Sequence, residues 1–154
     1  MAELTTVDAL AQVSFLVQGT LERRAAEHDC SLIQTRLLGI LRDRKPTINE
    51  LARLLTLDKS SVSGLVDRAQ RRGLVRRIPS MIDRRSVRVT LTDEGRRLIS
   101  LVGSRFEEDV AKMLSPLNSE ETRLLTSLLS RVDEFGWLLR EAGGDGRDLV
   151  GRAD

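Results

Sequence analysis

Between Lys59 and Arg88 the chain sets nine basic side chains (Lys59, Arg68, Arg71, Arg72, Arg76, Arg77, Arg84, Arg85 and Arg88) against two acids, Asp67 and Asp83, a net charge of +7. The whole 154-residue chain carries only +2, so the remainder is acidic at −5. Such a concentration of charge suits a polyanion, because each phosphate it neutralises releases condensed counterions. Eight of the nine are arginine, whose planar fork matches phosphate oxygens and guanine edges as a lysine point charge does not. The alternative for a run of this kind is a solvated charged face. The chain offers little other chemistry. One cysteine, Cys30, and one histidine, His28, cannot supply a disulfide framework, a multi-cysteine metal cluster or a histidine-based triad. With no nucleophile–base pair and no phosphate loop, the sequence predicts no enzyme, no metal and no cofactor.

The elements that must position these arginines can be read from periodicity and caps. Residues 7–27 form a helix through Val7, Leu10, Val13, Leu16, Val17 and Leu21 at helical spacing. Ser31 with Gln34 has capping-box spacing and opens a second helix, which stops near Arg44 ahead of Pro46. Thr47 with Glu50 repeats the box for a short helix through Leu55. Asp58 caps the next helix, Lys59 to about Arg72, and Gly73 sits where a positive φ ends it. Two short helices with a basic second member form a helix-turn-helix pattern. The period then changes. Leu74 to Ile78 is β-prone, and Ser86 to Leu91 sets Val87, Val89 and Leu91 against Ser86, Arg88 and Thr90, the alternation of a half-buried strand. The loop between them carries Asp83, Arg84 and Arg85, so the pair reads as a β-hairpin wing. Thr92 caps a long helix to about Leu114, Pro116 ends it, and Asn118 with Glu121 opens a last helix over 119–140. The predicted fold is mainly α with a small β-hairpin wing, in the order α-α-α-α-β-β-α-α.

At this point the sequence resembles the MarR family of bacterial regulators over roughly residues 7–140. Two blocks carry the likeness: LDKSSVSGLVDRAQRRGLV from Leu57 to Val75, and IDRRSVRVTLTDEGRRL from Ile82 to Leu98. The resemblance implies a winged helix-turn-helix and an obligate homodimer. Residues 1–30 and 93–142 would dimerise, residues 31–92 would form the DNA-binding lobe, and residues 143–154 would be a flexible tail. It implies double-stranded DNA with a pseudo-palindromic operator as partner. It also implies release, in many members, by a small phenolic or otherwise lipophilic anion, and in others oxidant sensing through a cysteine. In the family's Asp-x-Arg wing pattern the arginine reaches the minor groove and the aspartate braces the loop. Carried over, these are Arg85 and Asp83, with Arg84 on phosphate.

In a helix-turn-helix, residues at the start of the recognition helix reach base edges while its dipole favours phosphate. Here those are Lys59 on phosphate and Ser60, Ser61 and Ser63 on bases or phosphates. Three serines form helix poorly and invite a reason beyond capping. Arg68 is placed to touch phosphate, while Arg71 and Arg72 are surface charges or further contacts. Val62, Leu65, Val66 and Ala69 are core positions by spacing. Gly64 departs from the longer polar residue common in the family, and either admits close approach to DNA or removes one base contact. Arg76 and Arg77 must face opposite sides of the first strand, with the choice left open.

An effector pocket belongs among the first, second and fifth helices, with Phe15, Ile40 and Arg42 as linings. Cys30, near a helix start, is either a reactive thiol or a small buried filler, and His28 beside it is either an effector contact or a polar loop residue. The function read is thus a DNA-binding transcriptional regulator, a repressor released by an effector. A redox-sensing regulator acting through Cys30 and a dimeric interaction module that does not bind DNA stand as alternatives. No apolar run reaches the roughly 18 residues of a bilayer span, and Met1 to Leu10 holds Glu3 and Asp8 without a basic start. The reading is therefore cytoplasmic, with no membrane partner.

Overall fold

Every helix begins where the sequence offers a cap. In the computed structural model, which describes the backbone of residues 3–141 and the side chains of residues 3–138, Thr5 caps α1 (Thr6–Ala26) by accepting the Asp8 amide. Ser31 and Gln34 form a reciprocal capping box on α2 (Leu32–Asp43), and Thr47 and Glu50 another on α3 (Ile48–Leu55). Each box satisfies two backbone N–H groups that the first turn leaves free. Asp58 caps α4 (Lys59–Arg71). Thr92 accepts the Gly95 amide at the start of α5 (Asp93–Met113). Asn118 and Glu121 exchange bonds at the start of α6 (Ser119–Glu141). Gly73 takes the expected positive φ, +72°. Asp29 and Thr56 also adopt left-handed backbone, at 54° and 56°, closing the turns after α1 and α3. The expected tail, 143–154, lies outside the described residues.

Strands β1 (Val75–Pro79) and β2 (Val87–Leu91) pair antiparallel, from Val75 opposite Leu91 to Pro79 opposite Val87. Thr47 bridges to Arg88, and Pro46 accepts the Val89 amide, so the segment entering α3 runs beside β2. The expected alternation along β2 is not kept. Val89 and Leu91 are buried, but so is Thr90, and Val87 is 41% exposed. The reason is geometric. The base of the hairpin is enclosed by the lobe, with α2 and α3 packed along β2, while its far end runs past the core. Period-2 burial requires a sheet covered along one face only.

The chain divides into two compact units, Met1–Val110 and Ala111–Asp154. The core of the first gathers Leu37, Leu38 and Leu41 from α2, Leu51 and Leu55 from α3, and Val62, Leu65, Val66 and Ala69 from α4. Leu74, Val75, Val89 and Leu91 close it from the wing, with Ile99 from α5. The four α4 positions are those assigned to the core by spacing. In this unit Arg24 on α1 forks onto Asp109 of α5 at 2.7 and 3.0 Å. On α1, Val7, Leu10, Val13, Phe15 and Leu16 lie exposed. On α6, Leu124, Leu128, Leu129, Val132, Phe135 and Leu138 form a solvent-facing apolar stripe. Among the described residues no helix is long and apolar enough to cross a membrane.

Candidate nucleic-acid interface

The N-terminus of α4 is built around Asp58. Its carboxylate accepts the Ser61 amide at 2.8 Å and both the Ser60 and Ser61 hydroxyls at 2.6 Å. These bonds favour the charged form and hold Asp58 well below the usual carboxylate range, the Ser60 hydroxyl contributing most. Ser60 and Ser61 are therefore exposed residues whose single hydroxyl protons are already engaged. Ser63 is the serine of the three whose hydroxyl makes no hydrogen bond among the described residues. Lys59 is exposed beside them. One turn on, Gly64 has a specific neighbour. A Cβ there would meet Arg68 Nη1 at 3.4 Å, so the Arg68 guanidinium lies back over Gly64. A methyl group at 64 would therefore be in ordinary contact with Arg68, and the lobe's packing does not require glycine there.

The arginines divide sharply by partner. Arg77 donates to Asp67 at 2.6 Å and to Gln70 at 2.7 Å, tying β1 to α4. Of the pair left open by the sequence, Arg77 is therefore the clamp and Arg76 is the exposed member. Arg88 donates to the Lys45 carbonyl at 2.8 Å and lies 3.7 Å from Glu50. Arg72, the C-cap residue of α4, donates its guanidinium to the carbonyls of Asp29 and His28, at 2.8 and 3.1 Å, and approaches Cys30 Sγ at 3.5 Å. It is thus a tie to the turn after α1. Lys59, Arg68, Arg71, Arg76, Arg84 and Arg85 are exposed and make no ion pair among the described residues.

The wing loop is ordered by its own backbone. Ser80, buried, accepts the amides of Ile82 and Asp83 on its hydroxyl and donates its amide to the Ser86 carbonyl. Asp83 accepts the Arg85 amide at 3.0 Å on its carboxylate, and its carbonyl accepts the Ser86 amide. The bracing expected of Asp83 is thus an Asx turn on the backbone of Arg85, leaving that guanidinium and its neighbour Arg84 in solvent.

The other site candidates scatter. Cys30 is 5% exposed, and the Arg72 side chain lies on it. It lies buried just ahead of the Ser31 cap of α2. His28 contributes its carbonyl to Arg72. Phe15 is 75% exposed on α1, and Arg42 turns onto its neighbour Asp43 at 3.0 Å. An open hollow of about 580 Å³ is lined by Arg42 with Leu41, Asp43, Arg44, Lys45, Arg88, Thr90 and Arg96. Phe15 and Ile40 do not line it. No cluster of three or more metal-ligating side chains exists among the described residues.

A sequence profile of the MarR family matches residues 28–86. The HTH-type transcriptional regulator PecS of Dickeya dadantii (strain 3937) is 31% identical over 135 residues, covering 85% of this chain and 81% of PecS. The chain belongs to the MarR family. Solved structures agree in fold. The MepR–DNA complex of S. aureus superposes with a TM-score of 0.69 at 24% identity, over 86% of this chain and 98% of MepR. NadR in complex with 4-hydroxyphenylacetate gives 0.71 at 22% identity, over 86% and 95%. This MarR-family chain is a winged-helix transcriptional regulator, with α3 and α4 as its helix-turn-helix and β1–β2 as its wing. Three of its nine wing-and-helix cations, Arg72, Arg77 and Arg88, serve the lobe itself, a division that the charge count concealed.

Proposed function

We propose that the chain binds a pseudo-palindromic duplex operator as a homodimer, represses transcription there, and is released by a small organic anion. The observation that carries this reading is the division of the arginines. Arg68, Arg84 and Arg85, with Lys59, remain without an ion pair on α4 and the wing tip, while Arg77 ties the wing strand β1 to α4. In this reading Arg85 enters the minor groove, where a narrow groove concentrates negative potential, and Arg84, Arg68 and Lys59 take phosphates. Asp83 holds the tip. Ser63 reads a base edge, and Ser60 and Ser61 reach DNA by giving up Asp58. MepR, of the same fold, has been solved on DNA.

The exposed apolar faces of α1 and α6 are what a second copy would cover, since single chains seldom leave such stripes in water. Residues 1–30 and 93–142 would then dimerise two lobes formed by 31–92. The hollow beside Arg42 sets Arg42, Arg44, Lys45, Arg88 and Arg96 against the single acid Asp43, which suits an anionic effector. NadR, of the same fold, was solved with the phenolic carboxylate 4-hydroxyphenylacetate. The protein acts by binding alone, without catalysis, in the cytoplasm where its operator lies. Arg85→Ala weakens operator binding more than about tenfold with the fold intact, about one good groove contact. Unchanged affinity in a gel-shift titration at fixed salt rules the role out.

A further inference from the structure

The described part of the DNA-reading lobe, residues 31–92, exposes large apolar side chains in one place only. Met81 is 100% exposed and Ile82 is 89% exposed, and the third such residue is Val87 at the edge of the same loop. Val87 faces Pro79 across the last pair of the hairpin, so Pro79 and Val87 end the strands and Met81 and Ile82 follow in the loop they carry, an apolar tip of four exposed residues. This tip is held in shape. The Ser80 hydroxyl accepts the Ile82 and Asp83 amides, and the Ser80 amide donates to the Ser86 carbonyl, so the loop cannot fold its apolar side chains back onto the lobe without breaking these bonds. Packing thus gives no reason for a Met-Ile pair here, and two polar residues would leave the lobe equally stable. On the other side of the apex stand Arg84 and Arg85, both exposed.

Apolar carbon beside two guanidinium groups matches one surface in particular. The walls of the DNA minor groove are deoxyribose C–H faces, its rims are phosphates, and its floor presents base acceptors. Apolar side chains together with arginine are a recurrent means of engaging that groove. We infer that Met81 and Ile82 are a second, uncharged half of the wing's DNA contact, packing on the deoxyribose walls that Arg85 passes between. This rests on the DNA-binding reading above. Its consequence is a salt-independent part of the affinity. Arginine–phosphate contacts weaken as salt displaces the counterion advantage, whereas apolar contact with sugar does not.

The test uses the full-length protein and a duplex selected by the wild type from a random pool, titrated at several salt concentrations. Met81→Ser/Ile82→Ser is expected to lower affinity about tenfold at every salt concentration while the slope of log K against log salt stays unchanged. Arg85→Ala is expected to lower affinity and to flatten that slope by about one unit. In hydroxyl-radical footprinting, which attacks the minor-groove sugars directly, the double variant loses protection at the wing positions and keeps the remainder of the footprint. Full affinity and full wing protection in the double variant, with Arg85→Ala still weakened, overturns the inference and leaves the DNA-binding reading standing. The same holds if the double variant changes only self-association, which would assign the tip to a second copy. If the wild type selects no duplex, the DNA-binding reading itself fails.

Discussion

Gly95 sits in the first turn of α5, buried where the helix crosses the corner between α4 and β1. Helix propensity alone predicts that Gly95→Ala stabilises the protein, by up to about 1 kcal/mol. The tertiary structure predicts the opposite. A Cβ on Gly95 would lie 2.0 Å from the Leu74 carbonyl oxygen, 2.9 Å from its carbon and 3.2 Å from Leu91 Cδ2, where ordinary contact begins at 3.4 Å. The obstacle is backbone and cannot swing aside. It is also engaged, since Leu74 O accepts the Thr92 amide at 3.0 Å and the adjacent Gly73 O accepts the Thr92 hydroxyl at 2.6 Å. Room for a methyl group therefore requires α5 to lift off this corner and release both bonds. Two hydrogen bonds at about 1 kcal/mol each, with about 1–3 kcal/mol of overpacking and less than the full propensity gain returned, give a net loss of about 3 kcal/mol. That is a large share of the 5–15 kcal/mol or so by which a domain is stable, and lowers Tm by roughly 6–12 °C at this chain length. The assay is thermal or urea unfolding followed by far-UV circular dichroism. Wild type and variant must be compared at one protein concentration, because association would shift both midpoints. A variant midpoint equal to or above that of the wild type would refute the reasoning, for it would mean that α5 is not held against Leu74 as described.

Gly64→Ala is the opposite case. Its added methyl meets only the mobile end of Arg68 at 3.4 Å, so the midpoint should rise, by up to about 1 kcal/mol in stability, and a concurrent loss of operator affinity in anisotropy titrations would place Gly64 against the DNA. Arg77→Ala removes the bonds to Asp67 and Gln70. Because Arg77 and Asp67 are both partly exposed, stability should fall by only about 0.5–1 kcal/mol in denaturant unfolding. Operator affinity should fall further than that, as the wing loosens and a bare carboxylate is left on α4; equal losses in the two measurements would deny the clamp its part in DNA binding. Asp58 has a folded pKa below its unfolded one, so its contribution is complete above the unfolded carboxylate pKa of about 4 and is lost as pH falls. Asp58→Asn keeps an acceptor for the Ser61 amide, so the two proteins should differ in midpoint near neutral pH and converge on acidification; a constant gap down to the acid limb would exclude the charge as the cause.

Much of this protein is legible from short stretches of sequence. The capping pairs Ser31 with Gln34, Thr47 with Glu50 and Asn118 with Glu121 span three residues each, and all three form as read. Val62, Leu65, Val66 and Ala69 fall in the core because one turn of helix dictates which side they share. The Asp83 brace closes over two residues. What failed was treating chemically similar residues alike, as with Val87 beside Val89, and what stayed open was the choice between Arg76 and Arg77, which only the packing of β1 on α4 resolves.

The sequence by itself determined the elements, their order, their caps and the clustering of positive charge, because each depends on residues a few positions apart along one backbone. Tertiary structure alone decided which arginines remain available. Arg72 reaches the Asp29 carbonyl across 43 positions, Arg88 reaches that of Lys45 across another 43, and Arg24 finds Asp109 across 85. It also decided that Cys30 is enclosed, that Met81 and Ile82 stand in water, and that Gly95 admits no methyl group. The physical reason is that a guanidinium or a methyl group interacts with whatever lies within a few ångströms, and across those separations only the packing of the elements determines what that is.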